Sequence, residues 1–160
     1  MLLAWNLLDS KIRELPSIVS FKNALTRFFR PVPSMVYNVH HPKGIILLNR
    51  LRVGFSHLKE HKFRHNFQDT IDPFCNCSTN SIETTEHYLL QCSDYSTQRS
   101  TLFDDLKKAS FNVLPFNSTS LTRTLLFGNS SLSNGDNHMV ITLVINYILQ
   151  TRRFDRSLFD

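Results

Sequence analysis

Residues 72–93 read D-P-F-C-N-C-S-T-N-S-I-E-T-T-E-H-Y-L-L-Q-C-S. This stretch holds all three cysteines of the chain and one histidine, in the pattern C-x-C-x9-H-x4-C. Three thiolates and one imidazole complete the four-coordinate shell of a structural zinc ion and leave no open position for a catalytic water. The stretch therefore predicts a zinc-stabilised knuckle with the ligands Cys75, Cys77, His87 and Cys92.

The local sequence suggests how these ligands meet. Cys75 and Cys77 project to the same side if their segment is extended, while the residue between them points away. Thr84 can cap a short helix that starts near His87. Five residues of an ideal helix turn Cys92 away from His87. We therefore expect the helix to end just before Cys92, so that the following turn brings its sulfur back.

Other uses of the three cysteines are buried thiols or a disulfide. A secreted disulfide scaffold usually has an even number of cysteines and a secretory signal, and this sequence shows neither. His87 and Cys92 could also be imagined as a catalytic base and nucleophile. Two further cysteines at ligand spacing make metal ligation the better use of both residues.

Composition favours one folded domain, or one domain with an attached arm. The chain has 160 residues, 41% of them hydrophobic, including 13 Phe, which is enough to build a core. The opening M-L-L-A-W-N-L-L is short and lacks the basic lead and cleavage site of a signal peptide. The apolar stretch 139–149 is about half a membrane span. We expect an intracellular protein, nuclear or cytoplasmic, that is not secreted and has no membrane partner.

The pattern of apolar residues predicts a mainly α fold. Residues 1–30 are interpreted as a helical arm, residues 31–42 as a proline-rich connector, and residues 43–160 as a small helical domain that contains the knuckle. Within that domain we expect a helix from residue 43 that is ended by Gly54, and another over 94–109. A third helix is capped by Thr119 or Ser120 and closed by Gly128. The last begins after the polar loop 128–136 and shows a narrow polar stripe: His138, Thr142, Asn146 and Gln150.

Three histidines recur every four residues at His57, His61 and His65. On one helix they would share a face, and histidines at that spacing can share a metal ion. The knuckle already supplies a complete ligand set, so a polar face is the better interpretation. In that interpretation Leu58 and Phe63 are buried.

Charge is unevenly distributed along the chain. Residues 1–66 carry eleven Lys and Arg against three acids, whereas residues 67–160 carry seven against ten. Such a polarised field suits a polyanion such as nucleic acid, although a solvated basic face without a ligand is an equal alternative. The candidate phosphate contacts are Arg50, Arg52, Lys59, Lys62 and Arg64.

Catalytic motifs are not evident. The string Phe103-Asp104-Asp105 lacks the residue that a polymerase turn places between its aromatic side chain and its two aspartates. The remaining acids are too scattered to suggest a metal-dependent nuclease. The four glycines form no phosphate-binding loop, so no small-molecule substrate is indicated. We expect a protein that is not an enzyme.

The string L-L-N-R-L-R-V-G-F-S-H-L-K-E-H-K-F-R-H-N-F, residues 47–67, precedes the knuckle directly. Together with D-P-F-C-N-C, I-E-T-T-E-H-Y-L-L-Q-C and the opening W-N-L-L-D-S-K-I-R, it resembles the C-terminal tail of non-LTR, LINE-like retrotransposon reverse transcriptases. The resemblance covers most of the chain. Arg52 and His57 match its R-x-G-x-x-H string, and the knuckle residues match its metal ligands. Many members of this family have a glycine where this chain has Ser78.

The resemblance implies a tail whose polymerase and endonuclease lie upstream, and whose zinc segment helps to hold RNA or target DNA. The leading hypothesis is therefore a non-catalytic, zinc-stabilised remnant that binds nucleic acid. The competing hypothesis is a structural or protein-interaction module. In that case zinc only closes the fold, and the apolar helices dock a partner such as the missing polymerase domain.

Overall fold

The computed structural model describes residues 41–109, 111 and 116–155 of the chain. Its regular elements are α1 (Pro42–Arg52), α2 (Lys59–Arg64), a π-helical turn (His87–Gln91), a 3₁₀ turn (Ser93–Tyr95), α3 (Ser96–Lys108), α4 (Ser118–Phe127) and α5 (Asn134–Gln150). Extended segments in these residues meet at one isolated bridge, between Phe74 and Ile82. The predicted mainly α class is confirmed. The helical arm, residues 1–30, and residues 31–40 of the connector lie outside the described residues.

Helix α5 is the centre of the fold, and α1, α3 and α4 pack against it. It buries seven residues: Asn137, Val140, Ile141, Val144, Ile145, Tyr147 and Ile148. Each large apolar side chain taken from water stabilises the fold by about 1.5–3 kcal/mol. The expected polar stripe lies on the less buried side of this helix. α1 approaches closely because Gly44 has no side chain, and a Cβ there would lie 2.4 Å from Ile145 Cγ2.

Helix ends follow the sequence signals with one exception. Gly54 and Gly128 end α1 and α4 with φ of 66° and 77°, a region that glycine adopts without steric cost. The cap of α4 was expected at Thr119 or Ser120, and that expectation is wrong. Asn117 is the cap, since its side-chain oxygen accepts a hydrogen bond from Ser120 N at 2.8 Å.

The expected polar face of the histidine segment is also wrong in part. Leu58 is fully buried as predicted, but Phe63 is 46% exposed and His61 only 4%. α2 is six residues long, with His57 before it and His65 after it, so the three histidines do not share one helix. His61 tolerates burial because its Nδ1 lies 2.7 Å from Ser56 Oγ. None of the described helices is both long enough and apolar enough to cross a membrane.

Candidate metal centre and the basic cleft beside it

A short hairpin presents the first two cysteines. The Phe74–Ile82 bridge is flanked by two backbone bonds, from Cys75 N to Ser81 O and from Glu83 N to Pro73 O, both 2.8 Å. Asn80 closes the turn with φ of 44° and donates its N–H to Cys77 O. Asparagine tolerates this left-handed region better than most residues. The turn therefore does not need a glycine at position 78.

A π-helical turn presents the other two ligands. Thr84 Oγ1 accepts a hydrogen bond from His87 N at 3.0 Å, which confirms the predicted cap. Cys92 N donates to His87 O at 2.7 Å, five residues back, so the turn is wider than an α-helical one. Five residues of α-helix would place Cys92 about 140° from His87. The wider turn reduces that angle, and Cys92 then leaves the helix with ψ of 125°.

The four ligand atoms converge on one point. They lie within 4.8 Å of one another, and all four residues are buried. Cys75 Sγ and Cys92 Sγ are 3.7 Å apart, and Cys77 Sγ is 3.4 Å from His87 Nε2. A tetrahedral zinc ion with ordinary bond lengths requires about 3.8 Å between two sulfurs and about 3.5 Å between sulfur and nitrogen. The donor set and these spacings therefore fit such an ion.

The three thiols differ in their electrostatic surroundings. Burial raises the pKa of Cys75 to about 12 and also raises the pKa of Cys92. The Thr79 hydroxyl, 3.1 Å from Cys77 Sγ, lowers the pKa of that thiol to about 5. A metal ion would have to displace protons from Cys75 and Cys92, which makes its affinity depend on pH.

Disulfide and ordinary-core interpretations fit this cluster less well. All three cysteines are free thiols, and Cys75 Sγ and Cys92 Sγ, at 3.7 Å, are much farther apart than a disulfide bond requires. His87 is buried, and its Nδ1 has no hydrogen-bond partner among the described residues. A core histidine normally satisfies its ring nitrogens. Its other ring nitrogen, Nε2, lies 3.4 Å from Cys77 Sγ and would be the ligand of a cation held among the sulfurs, and the closed ligand shell would make the site structural.

Glu83 connects this knuckle to the rest of the fold. Its side chain is buried and accepts hydrogen bonds from Lys59 N at 2.6 Å and from Arg153 Nε and Nη2, both at 2.8 Å. Arg153 Nη2 also donates to His57 O at 3.0 Å. One carboxylate between the cysteine hairpin and His87 therefore holds the start of α2 and the turn after α5.

A cleft of about 900 Å³ opens beside this junction. It is lined by five Lys and Arg side chains, namely Arg50, Lys59, Lys62, Arg152 and Arg153. Two histidines, His57 and His65, and three acids, Asp69, Asp72 and Asp155, complete its charged lining. Of these, Asp72 belongs to the knuckle, and Asn76 of the knuckle holds a lining residue, since its Oδ1 accepts a hydrogen bond from Lys59 Nζ at 2.9 Å. We call this feature the basic cleft.

The five candidate phosphate contacts divide between this cleft and other places. Arg50, Lys59 and Lys62 line the basic cleft. Arg52 instead donates to Leu126 O at 2.6 Å, and Arg64 pairs with Glu60.

The structure brings in residues that the sequence analysis did not select: Phe55, Phe67, Glu83, Arg152 and Arg153. Arg152 and Arg153 could have been selected from the sequence, since they form a basic pair shortly after the apolar pattern of α5. Glu83 carried no such signal, because its partners lie 24 and 70 positions away.

Comparisons with protein-family models, with curated proteins and with solved structures give no match to this chain.

Proposed function

We propose that this chain is a non-catalytic, zinc-stabilised module that binds nucleic acid and derives from the C-terminal tail of a LINE-like reverse transcriptase. The observation that carries the proposal is the basic cleft, in which five permanent cations gather against the knuckle. A concentration of positive charge in a concave surface attracts phosphate backbones. Zinc supports the proposal because three buried thiols and an imidazole are donors that suit it.

The salt dependence of binding tests this proposal. Purified protein loaded with zinc is titrated with labelled single-stranded and duplex oligonucleotides, starting at about 50 mM salt, while its metal content is measured. If the four cations of the cleft other than Arg153, which is paired with Glu83, neutralise phosphates, log affinity should fall against log salt with a slope of about −3.6 on duplex or about −2.8 on a single strand. Absence of binding at low salt, or a slope near zero, would overturn the proposal.

A matched pair of variants places the binding site. Lys62→Gln removes a cation of the cleft. Lys107→Gln removes an exposed cation near the end of α3, outside the cleft. We expect the first to weaken binding and reduce the salt slope by about one, and the second to change neither. Equal effects of the two substitutions would show that only net charge matters.

A structural or protein-interaction module remains the second candidate. Ile46 of α1 is 48% exposed and Val53, directly after that helix, is 54% exposed, and their spacing of seven positions places them on the same side. This function is supported if zinc is bound stoichiometrically while neither kind of oligonucleotide binds. Substituting Ile46 and Val53 by Ser should then leave folding intact and abolish capture of the upstream polymerase domain.

A further inference from the structure

We infer that the basic cleft binds an unpaired strand of nucleic acid, with Phe55 and Phe67 as the surfaces on which bases stack. The inference rests on the proposed function, because it specifies which form of nucleic acid this site takes. Both rings line the cleft and are exposed, Phe55 by 52% and Phe67 by 39%. Apolar rings among cations are the combination found in single-strand sites, where bases stack and the backbone meets positive charge.

The two rings form one platform. Their centroids are 6.0 Å apart in an edge-to-face arrangement, and Phe55 makes a second such contact with His65 at 4.9 Å. A phenyl ring offers no donor or acceptor for reading sequence, but it can stack on any exposed base. Bases in a duplex are stacked on one another and cannot offer their faces to it. The platform therefore favours an unpaired strand over a duplex.

Helix ends hold this platform in place. Phe55 follows Gly54, and its N–H donates to Arg50 O at 2.9 Å. Phe67 follows Asn66, which has φ of 56°, and its N–H donates to Lys62 O at 3.0 Å. Each ring thus directly follows a residue of left-handed conformation at the end of a helix. Such hydrogen-bonded ends restrict the backbone, so the rings are positioned before any ligand arrives.

Arg152 adds an independent observation. It follows the end of α5 with φ of 51°, a conformation that is costly for a residue with a side chain. It is exposed and lines the cleft, and its side chain makes no hydrogen bond or ion pair within the described residues. Glycine would adopt this backbone conformation without strain. The chain nevertheless has an arginine here, so the backbone is strained at a position whose side chain lines the cleft. A phosphate group is the partner that fits a guanidinium placed in this way.

In the absence of nucleic acid, two acidic side chains pair with the lysines of the cleft. Lys62 pairs with Asp69, and Lys59 Nζ lies 3.5 Å from Asp72 Oδ1. Both acids are well exposed, with side chains 65% and 48% accessible, so these pairs are weak and exchangeable. Phosphates of an incoming strand can replace the carboxylates. Neutralising the acids should therefore tighten binding rather than weaken it.

The first test measures binding of zinc-loaded protein to a labelled oligonucleotide of about 12 nucleotides and to a duplex of the same length. Phe55→Leu with Phe67→Leu keeps apolar volume but removes both rings. We expect single-strand affinity to fall about 10-fold or more, with duplex affinity changed less than about twofold. Phe63→Leu is the matched control, because Phe63 is 46% exposed on α2 and does not line the cleft. This control should bind as the wild-type protein does.

Each outcome has one meaning. If single-strand affinity is unchanged in the ring variant, or both affinities fall equally, the platform inference is overturned while the proposed function stands. If the wild-type protein binds neither ligand, the proposed function fails as well. A second variant, Asp69→Asn with Asp72→Asn, guards against misfolding of the first. It should bind the single strand several-fold more tightly, and unchanged or weaker binding would overturn the role of the cleft.

Discussion

Replacing Glu83 by Gln should destabilise this protein more than any other conservative change at an acidic residue of the knuckle. The carboxylate is 4% exposed and accepts three hydrogen bonds, two from Arg153 and one from Lys59 N. A glutamine keeps the shape, but its amide nitrogen would face N–H donors. Arg153 would lose the charge that compensates its partial burial.

The magnitude follows from the burial of the two partners. Breaking a fully buried ion pair costs about 3–5 kcal/mol. The Arg153 side chain keeps 25% of its surface accessible, so water can offset part of that loss. We therefore expect a cost of about 2–3 kcal/mol, which for a chain of 160 residues lowers Tm by about 5–10 °C.

Urea unfolding of the zinc-loaded protein measures this cost. Glu86→Gln is the matched control, since Glu86 lies in the same segment but accepts only long bonds, 3.3 Å each, from Gln91 and Thr119. That variant should stay within about 0.5 kcal/mol of the wild type. A double variant, Glu83→Gln with Arg153→Gln, should cost about 1–2 kcal/mol less than the two single changes together. Equal unfolding midpoints for the two glutamate variants, or strict additivity with Arg153, would refute the reasoning.

Four further outcomes are expected. Cys92→Ser should lower the zinc content, measured by metal analysis. It should also destabilise the fold by a few kcal/mol, because the free energy of metal binding at such a site contributes to folding. An unchanged melting curve with full metal content would contradict the site. Burial, with a smaller contribution from the nearby His65, lowers the pKa of His61 from 6.5 to about 4. Between these two pH values the unfolded chain binds a proton at this histidine that the folded protein does not bind. The free energy of unfolding therefore falls as the pH drops from 6.5 towards 4. The loss from pH 7 to 5.5 is about 1 kcal/mol, and urea titrations of His61→Asn should lack it. Gly44→Ala should cost about 1–2 kcal/mol in urea unfolding, since the added methyl meets Ile145, and a stabilised variant would show that α1 can shift. Arg152→Gly should raise stability by about 1 kcal/mol by removing left-handed strain while weakening single-strand binding, and a loss of both would show that the arginine serves the fold.

Much of the fold could be predicted because its signals are local. The four ligands lie on two short segments, so the local geometry of the hairpin places Cys75 and Cys77 and that of the following turn places His87 and Cys92. The polar stripe on α5 is likewise a repeat within one helix, and the glycines that end α1 and α4 act on their own backbone. Even the end of the π turn at Cys92 follows from the rotation that an α-helix would impose.

The predictions that proved wrong also have physical causes. Periodicity placed Phe63 inside and His61 outside, but α2 is too short for a repeat to define a face, and Ser56 satisfies the histidine in the interior. Asn117, rather than Thr119 or Ser120, caps α4 because the helix starts at Ser118, two residues earlier than a cap at Thr119 requires and three earlier than a cap at Ser120 requires. The basic cleft joins the ends of three helices, and no pattern within one segment reports such a meeting.

Metal and nucleic acid should be coupled through this architecture. A bound ion would hold the hairpin against the π turn, and the hairpin carries Glu83, which positions Lys59 and Arg153 at the cleft. Under the proposed function, losing the metal would remove the support of two cations of the cleft without touching either of them. Coupling of this kind is reciprocal, so an oligonucleotide bound in the cleft must strengthen zinc binding by the same factor by which zinc strengthens oligonucleotide binding. Such coupling would need no separate conformational switch, because one buried carboxylate of the hairpin also contacts two residues that line the cleft.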